Sequence, residues 1–196
     1  MGVFRFAGCV FVVACAVLSQ QRISAALPQE GGAAVLDIIV EDWPRPMTLQ
    51  DMTRQSVAVL EATLSVVKSY AEDHTNAIYT EYELLPVRLL AGQVRGTPAR
   101  PGFTSKVMLT RYGGEMMVNG VNRRTVFSDS RPLEENHPYV FFLKETGAQG
   151  MYEVFNGAVF DVAGAAFEPL RARASKDIPK SYADAAALIQ SAAVAR

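Results

Sequence analysis

The clearest local group of residues able to do chemistry is the turn "EENH", which carries Glu134, Glu135 and His137. Two carboxylates and an imidazole can bind one cation or exchange protons with a substrate. The other histidine, His74, stands in a distant polar turn, so no second histidine has metal-ligand spacing. The sequence therefore predicts no metal site, no cofactor and no catalytic residue. The alternative hypothesis is an extracytoplasmic hydrolase built on this turn, with or without the assistance of a metal.

Motifs that mark common enzyme classes are missing from the sequence. There is no G-x-S-x-G nucleophile elbow, and the glycine pairs in "RYGG" and "AGQVRG" lack the lysine and the helix that a phosphate-binding loop needs. A binding role without catalysis is the leading hypothesis.

Positive charge is concentrated in one part of the chain, although the net charge is only −1 and gives no reason to expect a nucleic-acid partner. Between Leu84 and Arg131 only Glu115 and Asp129 are acidic, whereas the basic residues are Arg88, Arg95, Arg100, Lys106, Arg111, Arg123, Arg124 and Arg131. Gathered on one side of a domain, these residues would bind an anionic surface, polymer or protein partner. The predicted ligand-binding residues are Arg88, Arg111, Tyr112, Arg123, Arg124 and Phe127. In the alternative interpretation the arginines pair with the acidic strands before them and only keep the fold soluble.

One of these arginines, Arg88, lies in a long predicted strand, "IYTEYELLPVRLL" (78–90). Its even positions from Ile78 to Leu84 form one face, and the alternation changes phase after Leu85. Proline is tolerated in a strand at an edge or a bulge, and a bulge adds one residue and bends the strand. The pattern predicts one long strand coiled about Pro86, as a small, strongly bent barrel requires.

The neighbouring segments complete a mainly β pattern. Residues 57–70 fit a helix or a strand, but their alternation and β-branched residues favour a strand in a hairpin with 78–90. Thr48 and Asp51 predict a capped helix over 49–56, and Asn156–Gly157 predicts a type I′ hairpin turn. An alanine-rich helix is predicted over 181–194. The predicted fold is a small, closed or partly open barrel of about five to seven antiparallel strands, with a short N-terminal and a C-terminal helix.

The N-terminus has the pattern of an export signal. Arg5 precedes thirteen apolar residues, 6–18, which is too short for a membrane span of about 20. Small residues predict cleavage after Ala26, leaving no cysteine for a disulfide or a thiolate zinc site. Alternatively, "VVAC" resembles a lipobox, and Cys15 would carry the lipid anchor of a structural envelope lipoprotein. The predicted organisation is a signal peptide (1–26), an extended segment (27–47), the barrel (48–162), and a linker with the terminal helix (163–196), in a periplasmic or secreted protein.

The succession "VAVLEATL", "IYTEYELLPVRLLAG", "HPYVFFL" and "GMYEVFNGAVF" resembles a group of uncharacterised exported bacterial proteins. Their fold is similar to the five-stranded OB barrel of tissue inhibitors of metalloproteinases and netrin-like modules. The likeness covers about residues 48–162, and it departs from the pattern at Ala91, where lysine is usual, and at Asn136, where glycine is usual. It implies a fold and a binding role. The inhibitors' metal-chelating N-terminal cysteine has no counterpart after Ala26, so their mechanism is not implied.

Overall fold

The computed structural model describes residues 20–27, 34–41, 46–72, 77–97, 104–128, 130–171 and 175–195. The chain is mainly β, as predicted. Its strands are β1 (Gln20–Leu27), β2 (Ala34–Glu41), β3 (Ala58–Ala71), β4 (Ile78–Gly92), β5 (Val107–Tyr112), β6 (Gly114–Val118), β7 (Val121–Phe127), β8 (Tyr139–Glu145), β9 (Met151–Asp161) and β10 (Glu168–Pro169). The helices are α1 (Leu49–Gln55), a 3-10 turn (Ala163–Ala165) and α2 (Tyr182–Val194).

Five strands form a hydrogen-bonded ring. In it β3 pairs with β4 and β8, β4 with β5, β5 with β9, and β9 with β8. Every pairing in the ring is antiparallel except β5–β9, which runs parallel over Met108–Thr110 and Met151–Glu153. The strand predicted over residues 57–70 is confirmed as β3, and its predicted hairpin with β4 is also present.

A second sheet has the order β1-β2-β7-β6, and β2 pairs with β7 in parallel. The segment expected to be merely extended, 27–47, therefore supplies a sheet strand. The cleavage predicted after Ala26 falls within β1. Residues 1–19, including the predicted signal core and Cys15, lie outside the described residues.

The long strand β4 bends where its sequence predicts a bulge. Pro86 lies opposite Ala62 and Arg88 opposite Glu61, so Val87 is the extra residue. Before the bulge, Ile78, Tyr82 and Leu84 are buried as the alternation predicts. The bulge residue Val87 is exposed, and so is Leu89. The two residues that follow, 90–91, are buried.

The hairpin predicted at Asn156–Gly157 is wrong. Both residues have the expected positive φ, 50° and 66°, but they lie inside β9. Residues 152–154 pair with one end of β8 and residues 159–161 with the other, so the chain bulges there and continues. The two halves of β9 each pair with β8 and do not pair with each other.

Two apolar cores lie on the two sides of the ring. Leu60, Leu64, Leu109 and other apolar residues fill its interior, while the helices cover the outside with Met52, Ile189 and their neighbours. Because β8 faces both cores, its first five residues, 139–143, are all buried, which explains their apolar sequence. Helix α1 begins at the predicted cap, where Thr48 Oγ1 accepts the N–H of Asp51 at 3.2 Å.

A polar contact fastens α2 to the ring. The Tyr182 hydroxyl donates to the Glu61 carboxylate on β3 and accepts from Arg88 Nη2 on β4 at 2.7 Å. None of the helices in the described residues is long and apolar enough to cross a membrane.

Candidate functional site

A cavity of about 220 Å³ opens where β4 and β5 of the ring meet the β6–β7 hairpin and the segment 130–133. We call it the arginine cavity. It is lined, among other residues, by Tyr82, Arg111, Tyr112, Arg124, Arg131 and Leu133. Three arginines from three different parts of the chain thus meet around one space, which is also lined by the carboxylate of Glu115 on β6, opposite Arg124.

The register of β4 and β5 places Arg111 at the inner end of this cavity. Arg111 lies opposite Thr80, and two residues earlier Leu109 lies opposite Tyr82, so Arg111 is on the face that these strands turn inwards. Its Nη2 donates to Ser130 Oγ at 2.8 Å, which holds the guanidinium in place. Burial lowers the pKa of Arg111; Tyr82 opposes this shift, and nearby Arg171 adds to it. An arginine pKa is so high that the group remains a cation near neutral pH.

A second arginine stands behind Arg111. Arg171 is only 2 % exposed and forms an isolated β-bridge with Ser130. Arg131, which follows Ser130 in the chain, donates its backbone N–H to the Leu170 carbonyl at 3.2 Å. The segment that carries Ser130 and Arg131 is therefore fixed against the chain after β10, close to both Arg111 and Arg171.

Two further arginines stand at the outer end of the cavity, in more exposed positions. Arg131 forms long ion pairs with Asp161 at 3.8 Å and Glu168 at 3.5 Å. Exposed pairs of this kind are worth about 0–1 kcal/mol, so they restrain Arg131 only weakly. Arg124 is exposed on β7 and makes no ion pair within the part of the chain that the structure describes. Its charge is available to a ligand.

Glycines allow the chain to close over this site. Gly113 and Gly114 join β5 to β6 with φ of 102° and 139°, which residues with side chains rarely adopt. A Cβ on Gly114 would lie 2.1 Å from Thr80 Oγ1. Thr80 Oγ1 also donates to the Gly113 carbonyl at 2.8 Å, which ties the turn to β4.

The structure brings together three of the predicted ligand residues, Arg111, Tyr112 and Arg124. Arg88 does not line the cavity; it lies 3.6 Å from Glu61 and over the ring of Tyr182. Arg123 precedes Arg124 on β7 and is likewise absent from the lining. The Phe127 side chain lies outside the described residues.

The sequence did not predict Ser130, Arg131 or Arg171 as residues of the site, although Arg131 lies at the end of the basic segment. Ser130 and Arg171 carried no signal, because only the return of the chain after β10 brings Arg171 beside Arg111. The Tyr112 ring also belongs to a row across the sheet, since it lies 5.1 Å from the ring of Tyr79, and Tyr79 lies 5.8 Å from Tyr70. Cross-strand aromatic pairs of this kind stabilise the hairpin.

The residues of the "EENH" turn make separate contacts. Glu135 Oε1 accepts the Val66 N–H at 2.8 Å, the Glu134 N–H donates to the Tyr139 hydroxyl, and His137 Nε2 lies 2.9 Å from Asp161 Oδ1. Burial would raise the pKa of Asp161, but the Ala163 N–H, His137 and Arg131 together lower it. Within the described ranges, no three His, Cys, Asp or Glu side chains are grouped to hold a metal ion.

Comparison of the chain with protein-family models, with curated proteins and with solved structures finds no match.

Proposed function

We propose that this protein is a non-enzymatic binding module whose ligand, a small molecule or a protein partner, places an anionic group in the arginine cavity. The observation that carries the proposal is the convergence of Arg111, Arg124 and Arg131 on one space of about 220 Å³. A group of arginines around one space raises the local positive potential and attracts anions. Arginine forks also suit carboxylate and phosphate groups.

The placement of the arginines separates the two interpretations of the basic segment. Arg88 is paired with Glu61, as expected if it only stabilises the fold. Arg124 faces the cavity without an ion pair among the described residues. Structural pairing therefore accounts for Arg88 and in part for Arg131, which pairs with Asp161 and Glu168, and ligand binding accounts better for Arg124.

The ring supports a binding role of the kind that the family resemblance implies. We propose that it is an OB-like barrel, a fold that binds ligands on the face of its second and third strands and on the adjoining loops. In the ring these strands are β4 and β5, which contribute Tyr82, Arg111 and Tyr112 to the cavity. A binding module of this class uses a rigid frame and varied surface residues, so catalytic groups are not needed.

Export is also part of the proposal, and it is supported by the sequence of residues 1–26. We expect the purified natural protein to begin at Leu27, and intact-mass measurement with N-terminal sequencing checks this. A mass that includes a lipid on Cys15 would establish the envelope-anchored alternative, and a chain that keeps residues 1–26 would contradict export by cleavage.

The binding proposal is tested by titrating the protein with acetate, sulfate and inorganic phosphate, and following the backbone amide NMR signals of residues 112–115. We expect saturable shifts that weaken with added salt, because the attraction is electrostatic. Arg124→Gln removes an exposed charge from the cavity and should weaken binding about threefold to tenfold, the effect of about 1 kcal/mol.

The matched control is Arg54→Gln on α1, since Arg54 is exposed and its ion pair with Asp51 is long, at 3.7 Å. This variant has the same net charge as Arg124→Gln but leaves the cavity unchanged. If no anion shifts the signals, or if both variants weaken binding equally, the arginine cavity is not the binding site.

A further inference from the structure

The arginine cavity has apolar walls beside its arginines. The Tyr82 ring is 8 % exposed, and Val126 and Leu133 are half-buried. A site for a hydrated inorganic ion gains nothing from such walls, because their contact with a ligand is favourable only when apolar surface leaves water. The lining therefore suits a ligand with one charged end and an apolar body.

The size of the cavity limits that body. Its volume of about 220 Å³ is roughly that of seven waters at about 30 Å³ each. Pockets for drug-sized ligands measure about 300–1,000 Å³. A molecule of a few carbons, or the end of one peptide chain, fits this space, whereas a longer polymer would have to lie mostly outside it.

The depth of Arg111 indicates which anion enters. Its guanidinium is half-buried and held by Ser130, so a ligand group that reaches it loses part of its water. A phosphate near pH 7 carries between one and two charges and has a larger desolvation cost than a carboxylate, which carries one. A planar carboxylate also matches the planar fork of arginine.

We infer that the arginine cavity binds a small organic monocarboxylate, with its carboxylate toward Arg111 and its apolar body against Tyr82, Val126 and Leu133. This inference rests on the proposed function and names its ligand class. The same chemistry can come from a free short-chain acid or from the C-terminal carboxylate of a peptide that ends in an apolar residue.

The test is calorimetric titration of the natively purified protein with hexanoate, its neutral analogue hexanamide, and inorganic phosphate. We expect hexanoate to bind with one-to-one stoichiometry, and hexanamide and phosphate to bind at least about tenfold more weakly. A charge-assisted hydrogen bond is worth that much or more in affinity. The second source, the C-terminal carboxylate of a peptide, is tested with acetyl-alanyl-leucine and its C-terminal amide. Tighter binding of the peptide acid than of hexanoate would identify the end of a peptide chain as the natural ligand.

Two variants locate the binding. Arg111→Gln should weaken hexanoate at least about tenfold; if its burial prevents folding, Leu133→Asn provides the test, because Leu133 is only half-buried in the wall. We expect Leu133→Asn to weaken hexanoate about fivefold, since the apolar body of this ligand contacts this wall. Leu85→Asn, at an exposed leucine that does not line the cavity, is the matched control.

The outcomes separate the inference from the function on which it rests. If phosphate binds in the cavity and hexanoate does not, the carboxylate inference is overturned and the proposed anion binding stands. If hexanamide binds as tightly as hexanoate, the charge is not recognised and the inference is again overturned. If no ligand binds, both are overturned.

Discussion

At the scale of single residues, the same residue type has different roles in this protein. Arg88, Arg111 and Arg124 all belong to the basic segment, yet one fastens a helix, one is buried at the end of the ring and one faces solvent. Their roles follow from what each side chain contacts. Arg88 and Glu61 surround Tyr182, and this group is structural.

The contact of Tyr182 predicts a stability effect. Tyr182→Phe removes the hydroxyl that bonds Glu61 and Arg88, and should lower the free energy of unfolding by about 1–2 kcal/mol. Urea unfolding measures this loss. Tyr70→Phe, at a half-exposed tyrosine on the outer row, is the control and should change stability by less than about 0.5 kcal/mol. Equal losses in the two variants would contradict the assigned contact.

The same hydroxyl predicts a dependence on pH. Burial, and next the Glu61 carboxylate, raise the pKa of Tyr182 to about 12 from 10.0. A folded-state pKa above the unfolded one means that the contribution is complete below pH 10 and is lost as pH rises toward 12. The stability difference between the natural protein and Tyr182→Phe should therefore be constant up to about pH 10 and shrink above it. A difference that grows between pH 10 and 12 would show that the ionised form is favoured.

At the scale of elements, strands and turns are decided by what lies beside them. The bulge at Val87 appears where the sequence changes phase, because proline and alternation act within one strand. The pair Asn156–Gly157 has the local geometry of a turn, but β8 supplies partners on both sides of it and the strand continues. Local conformation was predicted correctly there, and the path of the chain was not.

The β5–β6 turn is an element whose geometry depends on one residue. Gly114→Ala should lower the free energy of unfolding by about 1–3 kcal/mol or more, since φ of 139° is suited to glycine and the new Cβ would meet Thr80. It should also weaken anion binding, because this turn lines the arginine cavity. Thermal unfolding and the acetate titration measure the two effects. Gly147→Ala, where no atom lies within 4 Å of the new Cβ, should be nearly neutral; an equally neutral Gly114→Ala would refute the packing argument.

At the scale of the whole molecule, the ring and the second sheet differ in how far their folding depends on the N-terminal residues. Among the described residues, β1 pairs with β2, and β2 joins the rest through β7. The members of the two apolar cores that the structure describes lie from position 47 onward. We therefore expect the ring to fold without the residues before Leu27.

This arrangement predicts how the mature chain behaves. Protein that begins at Leu27 should unfold cooperatively and keep its anion affinity within about twofold, because both cores and the cavity remain complete. Amide hydrogen exchange should speed up in β2, which becomes an edge strand. Loss of the cooperative transition would show that β1 is essential to the fold.

The sequence by itself determined the features that depend on neighbours along the chain. Alternation identified β3 and β4, and Thr48 began α1. The basic segment also indicated candidate residues for binding an anion.

Only the tertiary structure decided which of those arginines meet. Arg111 faces the cavity because of the β4–β5 register. Arg131 lines the same cavity, and Arg171 lies near Arg111, because the chain returns to the same end of the ring. These placements depend on pairings between residues far apart in the chain, and side-chain type and spacing carry no record of such pairings. The parallel pairings of β2 with β7 and of β5 with β9 escaped prediction for the same reason.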